Sequence, residues 1–209
     1  KIFLHRNNLT WKEINECLEQ YSDNKIDRVI LTGLDDVNLV EYIKHSSERT
    51  FLFTGGGILK DSLLSIDGVK IIHIHPGIVP EVKGADCFFW SYLLKGRAGY
   101  SIFYMNSGID TGDILFKKEF DLDFSTMNIC HYKNEDIYHA ILNFYDPCLR
   151  IMTFIKLLES ACAELQLTIN KVDMQKITHE AQNPDQGRVY FFMHRDLKDF
   201  VIDKLKGLN

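Results

Sequence analysis

The sequence predicts an α/β fold: a Rossmann-like, mostly parallel sheet flanked by helices, with a small C-terminal extension. Three observations carry that expectation. Short apolar runs alternate with amphipathic stretches of helical period, the pattern of βαβ units. Several of the apolar runs stop at Gly or Pro, as strands entering tight turns do. The chain has 209 residues, 45% hydrophobic and 25% charged, which suits one domain with a sizeable core.

The elements follow in order. Ile2, Phe3 and Leu4 form a short strand-like run. Residues 10–20 read as a helix, with Thr10 as cap, Glu13 three residues on, and Trp11, Ile14 and Leu18 sharing a face. Residues 29–33 read as a buried strand ending at Gly33. Residues 37–45 form a helix with Val40 and Ile43 inward, and residues 50–54 a strand stopped by Gly55, Gly56 and Gly57. A short helix over 60–64 leads to a strand over 69–75. Residues 87–94 are helical, and strands are expected over 100–105 and 114–120. A long helical pattern runs over 135–159, with a kink expected before Pro147. Beyond about Thr168 come polar stretches, Pro184, Gly187, the aromatic run Tyr190, Phe191 and Phe192, and an amphipathic helix from Asp196. The expected division is a main domain over 1–165 and an extension over 166–209 packed on it.

Composition excludes some functions. The net charge of −5 gives no general basic field for nucleic acid. No apolar run approaches the length of a membrane span, and no leader segment is visible. Cys17, Cys87, Cys130, Cys148 and Cys162 are scattered and form no CxxC pair, which reads as reduced thiols in the cytoplasm.

The chemistry concentrates in one segment. In a parallel sheet, ligands bind beyond the carboxyl ends of the strands. Residues 55–57, 75–77 and 108–112 each follow a predicted strand, so three segments are expected to meet at one edge. Strand alternation puts His73 and His75 on one face and Ile72 and Ile74 on the other. Pro76, Gly77, Pro80 and Gly84 then make a rigid exit. Three readings of the histidine pair stand open: packed core histidines, a metal site completed by Asp110 or Asp113, or acid–base and oxyanion chemistry. Asp110, between Gly108 and Gly112, is either a turn aspartate bonding its own backbone or the partner of an imidazolium. The glycine run at 55–57 matches neither GxGxxG nor a Walker pattern.

The order His73, His75-Pro76, Pro80, Lys83-Gly84, a strand over 100–105, then Asp110-Thr111-Gly112 resembles the core of the folate-dependent formyltransferases. These include glycinamide ribonucleotide transformylase, methionyl-tRNA formyltransferase and, most alike, the sugar N-formyltransferases. The close resemblance covers residues 70–120. It implies formyl transfer from N10-formyltetrahydrofolate to a primary amine, with no metal. It implies catalytic roles for His73, His75 and Asp110. Gly56, Gly57, Ile58, Leu59, Gly108, Ile109 and Asp110 would hold the folate, and Pro76, Gly77, Lys83 and Gly84 the acceptor.

One departure stands out: the family pattern has asparagine where this chain has His73, although a histidine N–H also donates to an oxyanion. The purine enzyme carries a glycine-rich phosphate loop after its first strand, whereas Leu4 is followed here by His5, Arg6 and Asn7. The tRNA enzyme has a basic surface, which this chain lacks. A nucleotide-linked amino sugar is therefore the expected acceptor, with a possible homodimer and no nucleic-acid or membrane partner. Phe88, Phe89, Trp90, Tyr92 and Tyr190 are either stacking residues or core aromatics. A metal-dependent hydrolase using His73, His75 and Asp110, or a silent binding domain of the same fold, are the alternatives.

Overall fold

The computed structural model describes residues 29–55, 57–122, 124, 129–183 and 185–208. The expectations for residues 2–4 and 10–20, and those for Gly56 and Pro184, lie outside the described residues. Helix α1 (Val37–His45) is capped by the Asp36 carboxylate, which accepts from Asn38 N at 2.9 Å, and it ends in Lys44 and His45. Strand β1 (Thr50–Phe53) leads through the glycine run to a short helix α2 (Asp61–Leu64) and then to β2 (Lys70–His75). Strand β3 (Val82–Gly84), helix α3 (Cys87–Lys95), and strands β4 (Arg97–Tyr104) and β5 (Ile114–Asp121) follow.

The long helical pattern divides into α4 (Asn134–Ala140), a π-helical turn over Ile141–Tyr145, and α5 (Asp146–Leu165). The irregularity sits just ahead of Pro147, where the proline's missing N–H and its ring disfavour a regular turn. The tail adds a short strand β6 (Arg188–Tyr190) and helix α6 (Arg195–Leu205).

The main sheet has the order β1-β2-β4-β5 among the described residues. The class is α/β as expected, with one difference in the sheet. Only β1 and β2 are parallel; β4 runs antiparallel to β2, and β5 antiparallel to β4. The link from β2 to β4 passes through β3 and one helix, and the chain re-enters the sheet from the carboxyl end of β2. A second correction concerns residues 29–33. They form no strand in the described part, and Ile30 is 96% exposed, so no described neighbour buries that run.

The sheet is covered on both faces. On one, Ile71 joins Ile43 of α1 and Leu63 of α2. On the other, Ile72, Ile74, Ile102 and Tyr104 pack against Leu157 and Ala161 of α5. Fully burying each such aliphatic side chain is worth about 1.5–3 kcal/mol. A further cluster gathers Phe88 and Phe89 of α3 with Val201, Ile202 and Leu205 of α6, so the tail shares core with the main domain. Phe88 and Phe89 are thus core aromatics, whereas Trp90 packs at a tilt against Tyr190, with ring centroids 4.8 Å apart, and donates to the Phe191 carbonyl. Strand β6 pairs in parallel with β3, setting Gly84 opposite Tyr190. Among the described residues no helix is long and apolar enough to cross a membrane.

Candidate active site

The site starts at the carboxyl end of β2. Alternation there turns His73 and His75 to one face, and both rings lie about 6 Å from Phe103 of β4. His75 is 2% exposed and His73 is half-buried. A ring nitrogen facing a carbonyl oxygen bonds only if it carries the hydrogen. Nε2 of His75 therefore donates to Val82 O at 3.1 Å, and Nδ1 of His73 donates to Phe53 O at 3.0 Å. Each ring is left with one nitrogen for chemistry: Nδ1 of His75 and Nε2 of His73.

Asp110 meets the first of these. Its Oδ2 lies 3.5 Å from His75 Nδ1 and accepts from Gly84 N at 2.8 Å. The route by which it gets there was not expected. Because β4 is antiparallel, it ends level with Ile72, away from the edge where His75 stands. The loop after β4 must double back along the sheet face. Asn106 shapes the return by accepting from Gly108 N at 3.0 Å and from Thr111 Oγ1 at 2.7 Å. Asp110 takes a left-handed φ of 51°, which Asp tolerates better than most residues. At Gly112 the loop passes so close to β4 that a Cβ would lie 1.5 Å from Tyr104 O, so only glycine fits.

The histidines are held from below. Arg150 of α5 donates to Ile74 O at 2.7 Å and to Asp146 at 2.8 Å, and Asp146 accepts from Tyr100 OH at 2.8 Å. Ser101 Oγ donates to Gly77 O at 2.7 Å and accepts from Val79 N at 3.0 Å, which ties the turn after His75 to β4. A Cβ at Gly77 would lie 2.4 Å from Val82 O and 2.7 Å from His75 Nε2, the two ends of the bond that orients the imidazole.

Burial pushes His75 down to about 4, and the neighbouring His73 and Arg150 push the same way. The Asp110 charge and the Val82 carbonyl pull it up. Burial also lowers His73, against the Phe53 carbonyl and Asp110. A neutral His73 whose Nδ1–H is bonded to Phe53 presents a lone pair at Nε2. It is a donor toward the site only as the imidazolium, so the oxyanion role expected of it requires that charged form.

Of the remaining expected residues, Gly77 and Gly84 border this trio directly, and Pro76 follows His75. Lys83 is 3% exposed, and its ammonium donates to Gln186 O at 2.9 Å in the tail. Ile58 and Ile109 are 77% and 52% exposed, whereas Leu59 is buried in the core with Ile43 and Leu63. Sequence reasoning missed Ser101, Asn106, Asp146 and Arg150. The Asp146–Arg150 spacing of four on a helix and the Asn-Ser-Gly turn at 106–108 were readable signals. Nothing in the sequence marks Ser101.

Residues 38–137, just under half of the chain, match the formyl transferase family model. A methionyl-tRNA formyltransferase of Syntrophus aciditrophicus (strain SB) is 34% identical over 90 residues, covering 42% of this chain and 28% of that protein. The chain thus matches under a third of that relative's length. Among solved structures, a sugar N-formyltransferase from Shewanella sp FDAARGOS_354 aligns with a TM-score of 0.52 at 22% identity, over 81% of this chain and 63% of that one. HypX from Aquifex aeolicus, in complex with tetrahydrofolic acid, aligns with a TM-score of 0.51 at 13% identity, over 80% of this chain and 27% of that one. At these identities the structural likeness shows the fold. The stretch holding His73, His75, Gly77, Lys83, Gly84 and Asp110 matches the formyl transferase family.

Proposed function

We propose that this site transfers a formyl group from N10-formyltetrahydrofolate to a primary amine. The observation that carries the reading is the His75–Asp110 pair: a buried imidazole with one nitrogen fixed by a carbonyl and the other 3.5 Å from a carboxylate, on the stretch that matches the family. The Val82 carbonyl sets the tautomer, so Nδ1 is the atom that takes a proton. The proton lost by the attacking amine reaches Nδ1 directly or through water, and Asp110 stabilises the imidazolium that forms. The bound folate would supply the formyl carbon; its C–N10 bond breaks as the new amide bond is completed, and N10 departs with the proton held at Nδ1 of His75. His73 donates to the formyl oxygen only in its imidazolium form, which burial disfavours, so that form must arise as negative charge develops on the oxygen. A donor of that kind is worth about 3 kcal/mol in the barrier.

The folate lies between the 57–59 loop and the 108–110 turn. The exposed side chains of Ile58 and Ile109 offer apolar surface to its pterin, while the backbone of Gly57 and Gly108 offers polar groups. Leu59 supports that wall from inside the core. The acceptor amine enters past Pro76, Gly77 and Gly84, and Lys83 holds this loop to the tail through Gln186. The acceptor is a nucleotide-linked amino sugar. The chain's negative charge disfavours tRNA, and a sugar N-formyltransferase shares the fold. The test is a panel of amino-sugar nucleotides incubated with the formyl-folate and read by mass spectrometry. One member should gain a single formyl group. Formylation of methionyl-tRNA alone would overturn the sugar assignment, and no formylated amine of any class would overturn the activity.

A further inference from the structure

The bonding of the two histidines has a second chemical meaning. Each imidazole donates one N–H to a backbone carbonyl, Phe53 for His73 and Val82 for His75, at 3.0 and 3.1 Å. Histidines that ligate metals almost always donate their other N–H to a carbonyl or carboxylate, which fixes the tautomer and raises the basicity of the free nitrogen. The free nitrogens here lie on the same side of the sheet as Asp110. One ligand atom from each of His73, His75 and Asp110 lies within 4.8 Å of the others, and no other group of three such residues meets that condition among the described residues.

We infer that His73, His75 and Asp110 form a binding site for a first-row divalent transition cation. Ligands about 2.0–2.2 Å from a tetrahedral zinc stand roughly 3.4 Å apart. His75 Nδ1 and Asp110 Oδ2 already stand at 3.5 Å, and no ligand atom of the three lies more than 4.8 Å from another, so closing the site takes a movement on the order of an ångström. Two imidazoles and one carboxylate suit zinc or iron(II), and three protein ligands leave a position open for water. Entry is from the Asp110 side, where the side chain is 16% exposed against 2% for His75. The site depends on the residue that departs from the family pattern, because an asparagine amide at 73 is a far weaker ligand than an imidazole. The bound cation occupies the Nδ1 lone pair that proton transfer uses, so it blocks formyl transfer. That consequence rests on the proposed function; the binding itself does not.

The test is calorimetric titration of Zn²⁺ into the chelator-stripped chain, without folate. One ion should bind per chain. His73→Asn should weaken binding on the order of 100-fold or more, since losing a ligand exceeds the 10–100-fold typical of losing an outer-shell partner. Cys130→Ser, which removes an exposed thiol, should change nothing. Binding below one ion per chain, equal binding by His73→Asn, or loss through Cys130→Ser would each overturn the site. Co²⁺ added to the unaltered chain gives a check that needs no variant. Visible ligand-field bands without thiolate charge transfer support the trio, and thiolate bands refute it. Because no formyl-folate or amine is present, the result is independent of whether the chain transfers formyl groups.

Discussion

The two faces of β2 share one backbone and meet opposite surroundings. Ile72 and Ile74 face α5 and are buried among Ile102, Tyr104, Leu115 and Leu157. His73 and His75 face the other way, where Ile71 is the last apolar residue before the chemistry begins. On the aliphatic face, interchangeable hydrophobes of the right volume would serve. On the histidine face each atom has its own partner: Phe53 O, Val82 O, Asp110. The difference teaches how the strand divides its work. Packing on one side holds the backbone still, so that hydrogen bonds on the other can orient two rings. Arg150 links the two sides, since it leaves α5 to bond Ile74 O, one residue before His75.

The largest effects are expected on the histidine face. His75→Ala and Asp110→Ala should each lower formyl transfer on the order of 10²–10⁴-fold, the usual worth of positioned acid–base groups. Both should keep the native circular dichroism spectrum. Near-normal turnover in either would remove the assigned role. On the opposite face the loss should be one of stability. Ile74→Ala should cost about 2–5 kcal/mol in denaturant unfolding, with transfer by the remaining folded protein much less affected than in His75→Ala. Equal catalytic loss in the two variants would mean that the faces are not separable.

The smallest effect comes from Tyr104, which belongs to the aliphatic face and whose hydroxyl donates to Met174 O. Burial pushes its phenol up to about 12, helped by Asp173 and Asp113. The unfolded chain loses that proton near pH 10, before the folded chain does. The contribution is therefore complete below pH 10 and is lost as pH rises toward 12. Tyr104 is buried, so the slope should rise toward, and not exceed, the ~1.4 kcal/mol per pH unit of one fully coupled proton. Tyr104→Phe should flatten that part of the stability curve. An unchanged curve between pH 10 and 12 would show that the hydroxyl is not held by the fold.

Much of this was legible before any coordinates. Helix α1, strands β1, β2 and β5, and the break before Pro147 follow from apolar period, capping and proline chemistry. Those are local effects, readable within a few residues. The direction of β4 was not legible, because an apolar run pairs equally well either way and the choice lies in the connection. Asp110 does meet His75 as expected, but not because β4 ends at that edge, since β4 runs the other way. Asp110 arrives by a loop that doubles back, made feasible by Gly112 and Asn106. The tail was read as an extension packed on the core, but its strand pairing with β3 beside Gly84 left no mark in its composition.

By itself, then, the sequence determined which residues share a face of β2, which turn carries the aspartate, and that His73 stands where an asparagine was expected. Alternation and turn chemistry are properties of a short stretch of chain, so they survive without a fold. The tertiary structure decided which nitrogen of each histidine remains for chemistry. The partners that settle it are carbonyls of Phe53 and Val82, in other segments, and a backbone oxygen carries no signature in the identity of its side chain. For His73 that decision matters most. In the neutral ring it makes the presumed donor a lone pair, and with that lone pair an acid–base pair becomes a candidate seat for a metal ion.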